Sequence, residues 1–308
     1  MSILTIPKLA KELFLEPIMI SMNSLALSSL MSYAMSADGN IDWRSITICV
    51  TADILAMGGD HLKDREEEFS SDRNNETNPR WFVYARTFLN ANAVLLALAL
   101  SLCPLLTLLT TAAFLAPALL WNTPISFQKF GLISRRLFGR FVKDSHQPST
   151  SAPILIIKRI PGMKAIFCGI IRGCGIYTVV LTVLSGSGNL ADTLLFPWST
   201  AQLIVWPTVN CACQAAMNDV RDFEDDLKAG VPTIPVLLGS ARKAKVVLMA
   251  CHVLVMLAFI ENLYIMGSCL LATALVWMLD KHSPRMAYVL SSQSQSLVIF
   301  LYLLTRDT

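Results

Sequence analysis

Long apolar runs limit what this chain can fold into more than any other feature of its sequence. A run of about 20 apolar residues crosses the hydrocarbon core of a bilayer as a helix, and residues 103–121 and 164–186 are two such runs. Of the 308 residues, 54% are hydrophobic and 15% are charged, whereas a soluble domain is about 25% charged. The sequence therefore predicts an all-α, polytopic membrane helical bundle and excludes a soluble domain.

Nine apolar segments can be placed along the chain. Their approximate bounds are 12–36, 43–59, 82–101, 103–121, 164–186, 191–215, 244–260, 262–280 and 287–304. The first of them is interpreted as a span, because no small-residue cleavage site follows a short apolar region as in a signal peptide. We interpret the whole chain, 1–308, as one transmembrane domain. Its two halves, 12–121 and 164–280, are joined by a basic linker, 122–163.

The basic residues test this division into spans. If the spans alternate in direction, 22 of the 25 Lys and Arg residues fall on one face, all but Arg44, Arg172 and Arg306. Positive charge resists translocation, so we expect this face to be cytosolic. We predict an integral, multi-pass membrane protein. The sequence does not identify the membrane, which in a eukaryotic cell would be an endomembrane such as that of the ER.

Cysteine usage indicates buried thiols. The eight cysteines lie almost entirely within apolar runs, and no Cys-x-x-Cys pair occurs. This pattern is typical of packed thiols and not of a redox or metal centre.

Acidic residues cluster in two places, each at the predicted cytosolic end of an even-numbered span. Asp60 and Asp64 are four residues apart in the first cluster, and Asn218, Asp222 and Asp226 have the same spacing in the second. Residues at i and i+4 share a helix face, so each motif is expected to present a column of oxygen atoms in one direction.

The two motifs also match each other. Ala56 aligns with Asn218, and Asp60 with Asp222, at a constant offset of 162 residues. This repetition predicts two related halves that face each other across a cavity, as inward carboxylates do in helical bundles. Carboxylates gathered in one site repel unless a cation binds, and Mg²⁺ prefers such oxygen ligands and commonly bridges them to phosphate groups.

A simpler interpretation stays open at this point. Each motif is also consistent with an ordinary solvated acidic segment held by salt bridges to Lys63, Arg65 or Arg221. The repetition of the spacing after corresponding spans favours the metal site.

The second motif continues into a longer pattern, Asn218-Asp219-x-x-Asp222-x-x-x-Asp226-x-x-x-Gly230-x-x-Thr233-x-Pro235-Val236-x-x-Gly239. This pattern resembles the second signature of the UbiA superfamily of intramembrane prenyltransferases. Ile157-Lys158-Arg159-Ile160-Pro161-Gly162-Met163-Lys164 resembles that family's segment before its fifth helix, and Asp60-x-x-x-Asp64-x-x-x-Glu68 stands where its first motif belongs. With the span count, the resemblance covers roughly residues 15–300.

The resemblance implies a nine-helix bundle with a central cavity that opens toward the membrane. It also implies that an isoprenyl diphosphate binds through Mg²⁺ at the two Asp-rich motifs and ionises at its allylic C–O bond. An acceptor, often aromatic, captures the carbocation, although a minority of the family cyclise the chain instead. The expected partners are the isoprenyl diphosphate, a small-molecule acceptor and membrane lipid, with no nucleic acid.

The chain departs from the family pattern in its first motif. The family usually has Asn four residues before the first Asp, where this chain has Ala56. Asp53 lies two helical turns before Asp60 on the same face, and an ionisable residue deep in a span is usually functional. We therefore hypothesise that Asp53 faces the cavity, and either that it partly replaces the lost Asn or that the first half holds its metal more loosely.

Site residues can be assigned by role on this basis. The predicted metal ligands are Asp60, Asp64, Asn218, Asp222 and Asp226, and the four aspartates are the predicted catalytic residues. The predicted diphosphate contacts are Asn218, Asp219, Lys158, Lys164, Arg172, Arg221 and Lys228, with Asp53 and Glu68 beside the cavity. Arg172, inside the fifth span, either extends to the interface or pairs within the bundle, and we expect it to pair with an acidic motif or the diphosphate. Aromatic side chains that either line the cavity or anchor the interface are Phe88, Trp121, Trp198 and Trp206.

Three functions remain open from the sequence. The first is Mg²⁺-dependent prenyl transfer to a small acceptor. The second is a terpene cyclase of the same fold, acting on a substrate such as farnesyl diphosphate, which the loss of Asn at position 56 favours. The third is a transporter or sterol-binding scaffold, which would release no diphosphate.

Overall fold

The architecture consists almost entirely of helices. The computed structural model describes residues 9–71, 80–119, 125–126, 154–155, 160–280 and 282–305. We number the helices α1 (Lys11–Met35), α2 (Trp43–Ser71), α3 (Arg80–Ser101), α4 (Leu105–Leu119), α5 (Met163–Gly186), α6 (Thr200–Arg221), α7 (Phe223–Ala229), α8 (Ile234–Leu237), α9 (Ala241–Ala258), α10 (Leu263–Met278), α11 (Arg285–Ser292) and α12 (Ser294–Thr305).

Only short strands accompany these helices among the described residues. β1 (Ile125–Ser126) and β2 (Ile154–Leu155) pair antiparallel, with Ile125 opposite Leu155. They mark two points within the basic linker, most of which lies outside the described residues. The prediction of an all-α membrane bundle is confirmed.

Helix length supports only part of the predicted span count. Within the described ranges, three helices are long and apolar enough to cross a membrane: α1, α3 and α5. A fourth span results if α11 and α12, which are bent by 43° across Gln293, count as one. The apolar helices α4 and α10 are shorter. The number of nine spans therefore stays a prediction.

Two helices differ in extent from the approximate apolar segments. The segment 191–215 was expected as one span, but its helix, α6, begins only at Thr200. Ser199 and Gln202 form a capping box there, in which the Ser199 hydroxyl accepts from the Gln202 backbone N–H at 3.3 Å and the Gln202 side chain accepts from the Ser199 N–H at 3.0 Å. This exchange satisfies backbone donors that a helix start leaves unpaired, and so it sets the boundary. The segment 43–59 also continues as helix to Ser71, so the first acidic motif lies on α2.

Helix α1 occupies the centre of the hydrophobic core. Its residues Ala26, Leu27, Leu30 and Met31 are completely buried, and α1 contacts α2, α5 and α12. By contrast, many leucines of α3 and α4 are exposed, as expected of a surface that faces lipid. The bundle thus surrounds its first helix.

Two glycines bring α5 and α6 into very close contact. A Cβ atom at Gly173 would lie 2.7 Å from the backbone nitrogen of Thr208, and one at Gly169 would lie 2.9 Å from the Cβ of Ala212. Small residues four apart allow membrane helices to approach backbone to backbone. This contact sets the distance between the helix that carries Arg172 and the helix that carries Asn218.

We expect Gly173→Ala to destabilise the protein by about 1–3 kcal/mol, because the new methyl group overlaps the backbone of α6. Thermal unfolding of the protein purified in detergent measures this loss. Gly267→Ala is the matched control, since a Cβ at this helical glycine meets nothing within 4 Å and alanine otherwise favours a helix. Equal stability of the two variants would contradict the close contact.

Candidate active site at the two acidic motifs

A cavity of about 240 Å³ lies between α1, α2, α5 and α6, with Ala118 of α4 and Ser292 of α11 in its wall. Residues from both motifs line it: Asp60 comes from the first motif and Asn218 from the second. The basic side chains of Lys164 and Arg172 line the same cavity. Oxygen ligands and positive charges are therefore brought together from both halves of the chain.

The first motif divides into a cavity side and an outer side. Asp60 lines the cavity, whereas the side chain of Asp64, one turn later on α2, is exposed. Glu66 accepts from Arg86, with an N–O distance of 2.8 Å, and Glu67 lies 4.0 Å from Lys63. For these two glutamates the simpler interpretation as a solvated, salt-bridged segment holds. The side chain of Glu68 lies outside the described part of the structure.

The second motif does not lie on one continuous helix. Helix α6 ends at Arg221 and α7 begins at Phe223, so the chain turns at Asp222 (φ −91°, ψ 10°). The expected continuous helix through this motif is therefore not observed, although the backbone hydrogen bonds from Asp222 N–H to the Asn218 oxygen (3.3 Å) and from Asp226 N–H to the Asp222 oxygen (2.9 Å) continue across the turn. Asn218 lies in the cavity wall on α6, and Asp226 lies on the short helix α7.

Charges around the turn restrain its carboxylates. Arg221 donates to both oxygens of Asp222, each at 2.6 Å, and its guanidinium lies 5.6 Å from the ring centre of Tyr288. Burial raises the pKa of Asp226 above its usual range, and the nearby carboxylates of Asp222 and Asp225 act in the same direction. A bound cation would relieve this repulsion.

Lys164 connects the start of α5 to the second motif. Its ammonium group donates to Asp219 at 2.6 Å, and the side chain of Asp219 is 3% exposed. An ammonium group has three donors, so this pair leaves Lys164 able to contact a ligand in the cavity.

Arg172 was expected to pair with an acidic motif or the diphosphate, but in the structure it pairs with Asp53, which lies outside both motifs, across the two halves of the chain. One guanidinium nitrogen donates to both carboxylate oxygens at 2.9 Å, and the Ser24 hydroxyl donates to Asp53 at 2.8 Å. The two charged side chains are only 12% and 13% exposed. Arg172 lies in a π-helical turn of α5, Ile171–Gly175, a departure from α-helix that often occurs at functional sites.

The remaining predicted basic contacts lie elsewhere. Lys228 is exposed and lies 3.8 Å from Asp225, and it is not among the described residues that line the cavity. Arg221 is occupied by Asp222. Lys158 lies outside the described residues.

Three of the aromatic candidates lie away from the cavity. Trp198 and Trp206 stack on each other in the core, with ring centres 5.6 Å apart, and Phe88 packs on Phe14. Trp121 lies outside the described residues. The aromatic side chain in the wall of the cavity is instead Phe167.

Sequence reasoning missed the uncharged polar side chains of the cavity. Gln214 is one turn before Asn218, is 6% exposed and lines the cavity, and its amide nitrogen has no hydrogen-bond partner among the residues described. Asn23 also lines the cavity and donates to the backbone oxygen of Ser292 at 2.8 Å. The position of Gln214, four residues before Asn218, could have indicated that it faces the cavity. The Ser/Gln run 291–296 inside an apolar segment could have indicated that Ser292 does so as well.

The donor set fits a hard divalent cation that binds together with a phosphate group. Within the described ranges, no group of three acidic, His or Cys side chains is placed to hold a metal without other ligands. Mg²⁺ usually takes one or two carboxylates and completes its shell with water and substrate phosphates. Asp60 and Asn218 provide oxygen ligands in the cavity wall, and Asp222 and Asp226 follow at the adjacent turn.

Comparisons with known proteins agree with this architecture. Residues 150–303 match the model of the UbiA prenyltransferase family, a segment that contains the second motif. No curated protein sequence matches the chain.

Two solved structures share the fold. One is a UbiA homologue from Archaeoglobus fulgidus bound to Cd²⁺, which has a TM-score of 0.55 and 14% identity over 98% of this chain and 100% of that chain. The other is the apo structure of a UbiA homologue from Aeropyrum pernix K1, with a TM-score of 0.53 and 13% identity over 94% of this chain and 98% of that chain.

Asp53→Ala is expected to cost about 3–5 kcal/mol of stability, because it leaves the buried charge of Arg172 without its partner. Replacing both residues, as Asp53→Leu with Arg172→Met, should recover most of this loss. Thermal unfolding in detergent measures both effects. Asp225→Ala removes a carboxylate from an exposed pair and serves as the control, with little change expected. A double variant no more stable than Asp53→Ala would argue against a direct pair.

Gln214→Leu is expected to keep or raise the melting temperature, because it removes a buried amide donor that lacks a partner. The matched control is Gln202→Leu on the same helix. Gln202 is also buried, and its amide oxygen accepts from Ser199 at 3.0 Å and from Asn262 at 3.3 Å, whereas that of Gln214 accepts one longer bond from Ser291 at 3.5 Å. The Gln202 change should therefore destabilise the protein by about 1–3 kcal/mol. A large destabilisation by Gln214→Leu would mean that its amide is already satisfied.

Proposed function

The chain belongs to the UbiA prenyltransferase family, and we propose on that premise that it ionises an allylic isoprenyl diphosphate and transfers the prenyl group to a small acceptor. One observation carries the proposal: Asp60 and Asn218, from the two motifs, line one cavity together with Lys164 and Arg172. Such a cavity offers ligands for a divalent cation and positive charge for a diphosphate. We also propose that the motifs lie on the cytosolic face, where the basic residues are concentrated.

In this reaction the allylic C–O bond breaks, and its electron pair leaves with the diphosphate. The remaining allylic cation forms a new bond with an electron pair of the acceptor, which releases a proton. Stabilising the departing anion is the main demand on the protein, because charge develops there in the transition state.

Lys164 and Arg172 are suited to hold the diphosphate. Asp219 and Asp53 fix their positions, yet each basic group keeps unused N–H donors, since an ammonium has three and a guanidinium five. Pre-positioned donors need no reorganisation as the negative charge grows.

The two motifs are suited to hold Mg²⁺. We assign its ligands to Asp60, Asp64, Asn218, Asp222 and Asp226, and bound Mg²⁺ would neutralise charge on the leaving diphosphate. The solved Archaeoglobus fulgidus homologue is bound to Cd²⁺, which supports divalent metal binding in this fold.

The lining of the cavity beyond the charged groups is suited to protect the cation. Ala56, Met57, Phe167, Ile171 and Ala215 contribute apolar surface, which excludes the water that would otherwise quench a reactive intermediate. The unpaired amide nitrogen of Gln214 is placed to donate a hydrogen bond to an oxygen of the acceptor, which favours transfer.

Cyclisation is the second candidate, supported by Ala56. Alanine at this position removes a polar ligand and leaves the wall beside the motif apolar, as a folded hydrocarbon chain requires. In this case the substrate's own double bonds capture the cation.

Membranes containing the protein should release diphosphate from at least one of the C10, C15 and C20 prenyl diphosphates when Mg²⁺ is present, and chelation by EDTA should abolish the release. Asp60→Asn and Asp222→Asn should each lower the rate by at least about tenfold, the smallest loss expected when a metal site is disturbed. Asp192→Asn, in an exposed loop before α6, should have no effect.

The products of the same assay separate the two candidates. A cyclic or volatile hydrocarbon formed without any added acceptor would identify a cyclase, whereas release that requires an added aromatic compound would identify a transferase. Absence of diphosphate release with every donor would contradict both and favour a transporter or binding scaffold.

A further inference from the structure

We propose that the isoprenoid tail of the substrate extends past the Asp53–Arg172 pair into a second, apolar pocket, and that Phe114 limits the length of the tail. This inference rests on the proposed function, because it assigns a binding place to the tail of that substrate. The second pocket has a volume of about 60 Å³ and lies between α1, α2, α4 and α5.

The second pocket adjoins the main cavity, with which it shares one wall. Five residues line both spaces: Asp53, Ala56, Ala118, Ile171 and Arg172. Ala56 and Ala118 come from different helices, and an alanine side chain ends at Cβ. We call the region at these two alanines the neck, since longer side chains there would narrow the passage.

The charged residues in the shared wall do not make the second pocket polar. One guanidinium nitrogen of Arg172 and the hydroxyl of Ser24 both donate to Asp53, so the Asp53 carboxylate is satisfied within this wall. The other residues of the pocket include Ile48, Cys49, Ala52, Leu115, Ile176 and Val179. Such a lining favours a hydrocarbon and disfavours a diphosphate or a polar acceptor.

The two spaces follow the helices away from the acidic end. On α2, the lining begins at Asp60 and continues to Ile48, 12 positions earlier, which corresponds to about 18 Å along a helix. On α5, it extends from Lys164 to Val179 in the same direction. A long ligand anchored by its charged head at Asp60 would therefore place its tail in the second pocket.

Phe114 closes the second pocket on the side of α4. Moving along α4 from Ala118, which lines both spaces, the residues Leu115, Phe114 and Thr111 line only the second. The Phe114 ring packs directly against Gly175 of α5, because a Cβ at Gly175 would lie 3.1 Å from the ring atom Cγ. A methyl group added at Gly175 would take space from the pocket, and removal of the ring would add space.

The test measures the rates of diphosphate release from the C20 and the C10 prenyl diphosphate in one preparation and takes the ratio of C20 to C10. This ratio does not depend on how much of the protein is folded. Gly175→Ala should lower this ratio by about tenfold, the usual effect of a methylene-sized misfit. Phe114→Ala should raise it. Ala118→Leu, at the neck, should lower it as Gly175→Ala does.

Each variant has a matched control elsewhere in the bundle. Gly267→Ala adds a methyl group in open space, Phe88→Ala removes a ring that packs on Phe14, and Ala113→Leu enlarges an exposed residue of α4. All three should leave the ratio unchanged. Opposite shifts for Gly175→Ala and Phe114→Ala support the inference, because general loss of stability cannot move the ratio in both directions.

The failure of this inference can be distinguished from the failure of the proposed function. If the unmodified protein releases diphosphate but Gly175→Ala and Phe114→Ala keep its ratio, the tail lies elsewhere and the inference is overturned while the function stands. If no donor releases diphosphate, the proposed function fails. In that case, the shift in melting temperature caused by each of the C10 and C20 diphosphates measures which chain length the protein prefers to bind. If Gly175→Ala and Phe114→Ala keep the preference of the unmodified protein, the inference is overturned.

Discussion

The ion pair between Asp53 and Arg172 is the interaction on which the arrangement of this site depends. It joins α2 of the first half to α5 of the second, and both charged side chains are largely buried, with one further hydrogen bond to Asp53 from Ser24. Removing one partner of such a pair is costly, so the two helices are held at a fixed distance. The main cavity and the apolar pocket both take their shape from this distance.

A second ion pair, between Lys164 and Asp219, lies at the second acidic motif. Together the two pairs place two basic groups from α5 in the cavity wall, and each group is already oriented by a carboxylate before any ligand arrives. The charges are therefore arranged in advance, as efficient stabilisation of a departing anion requires. The glycines of α5 make this arrangement possible because they let α6 approach closely.

Much of the fold and part of the site could be predicted, because helical periodicity and the length of an apolar run are both properties of short stretches of sequence. Apolar run length indicated a membrane bundle, and the seven-residue spacing of Asp53 and Asp60 put both on one face of α2, where both now line the cavity. The break at Asp222 and the unpaired amide of Gln214 could not be predicted. The four-residue spacing of the second motif is typical of a continuous helix, and the partners of Gln214 depend on segments far apart in the chain, such as Ser291, whose hydroxyl donates to the Gln214 amide oxygen at 3.5 Å.

The crossing of α5 and α6 at Gly169 and Gly173 also has a consequence for protein engineering. Side chains at this crossing have no room to grow, whereas the leucines of α3 and α4 project outward and can be exchanged for other apolar residues with little effect on packing. A combinatorial library intended to alter expression or lipid preference should vary the outer leucines and keep the two glycines constant.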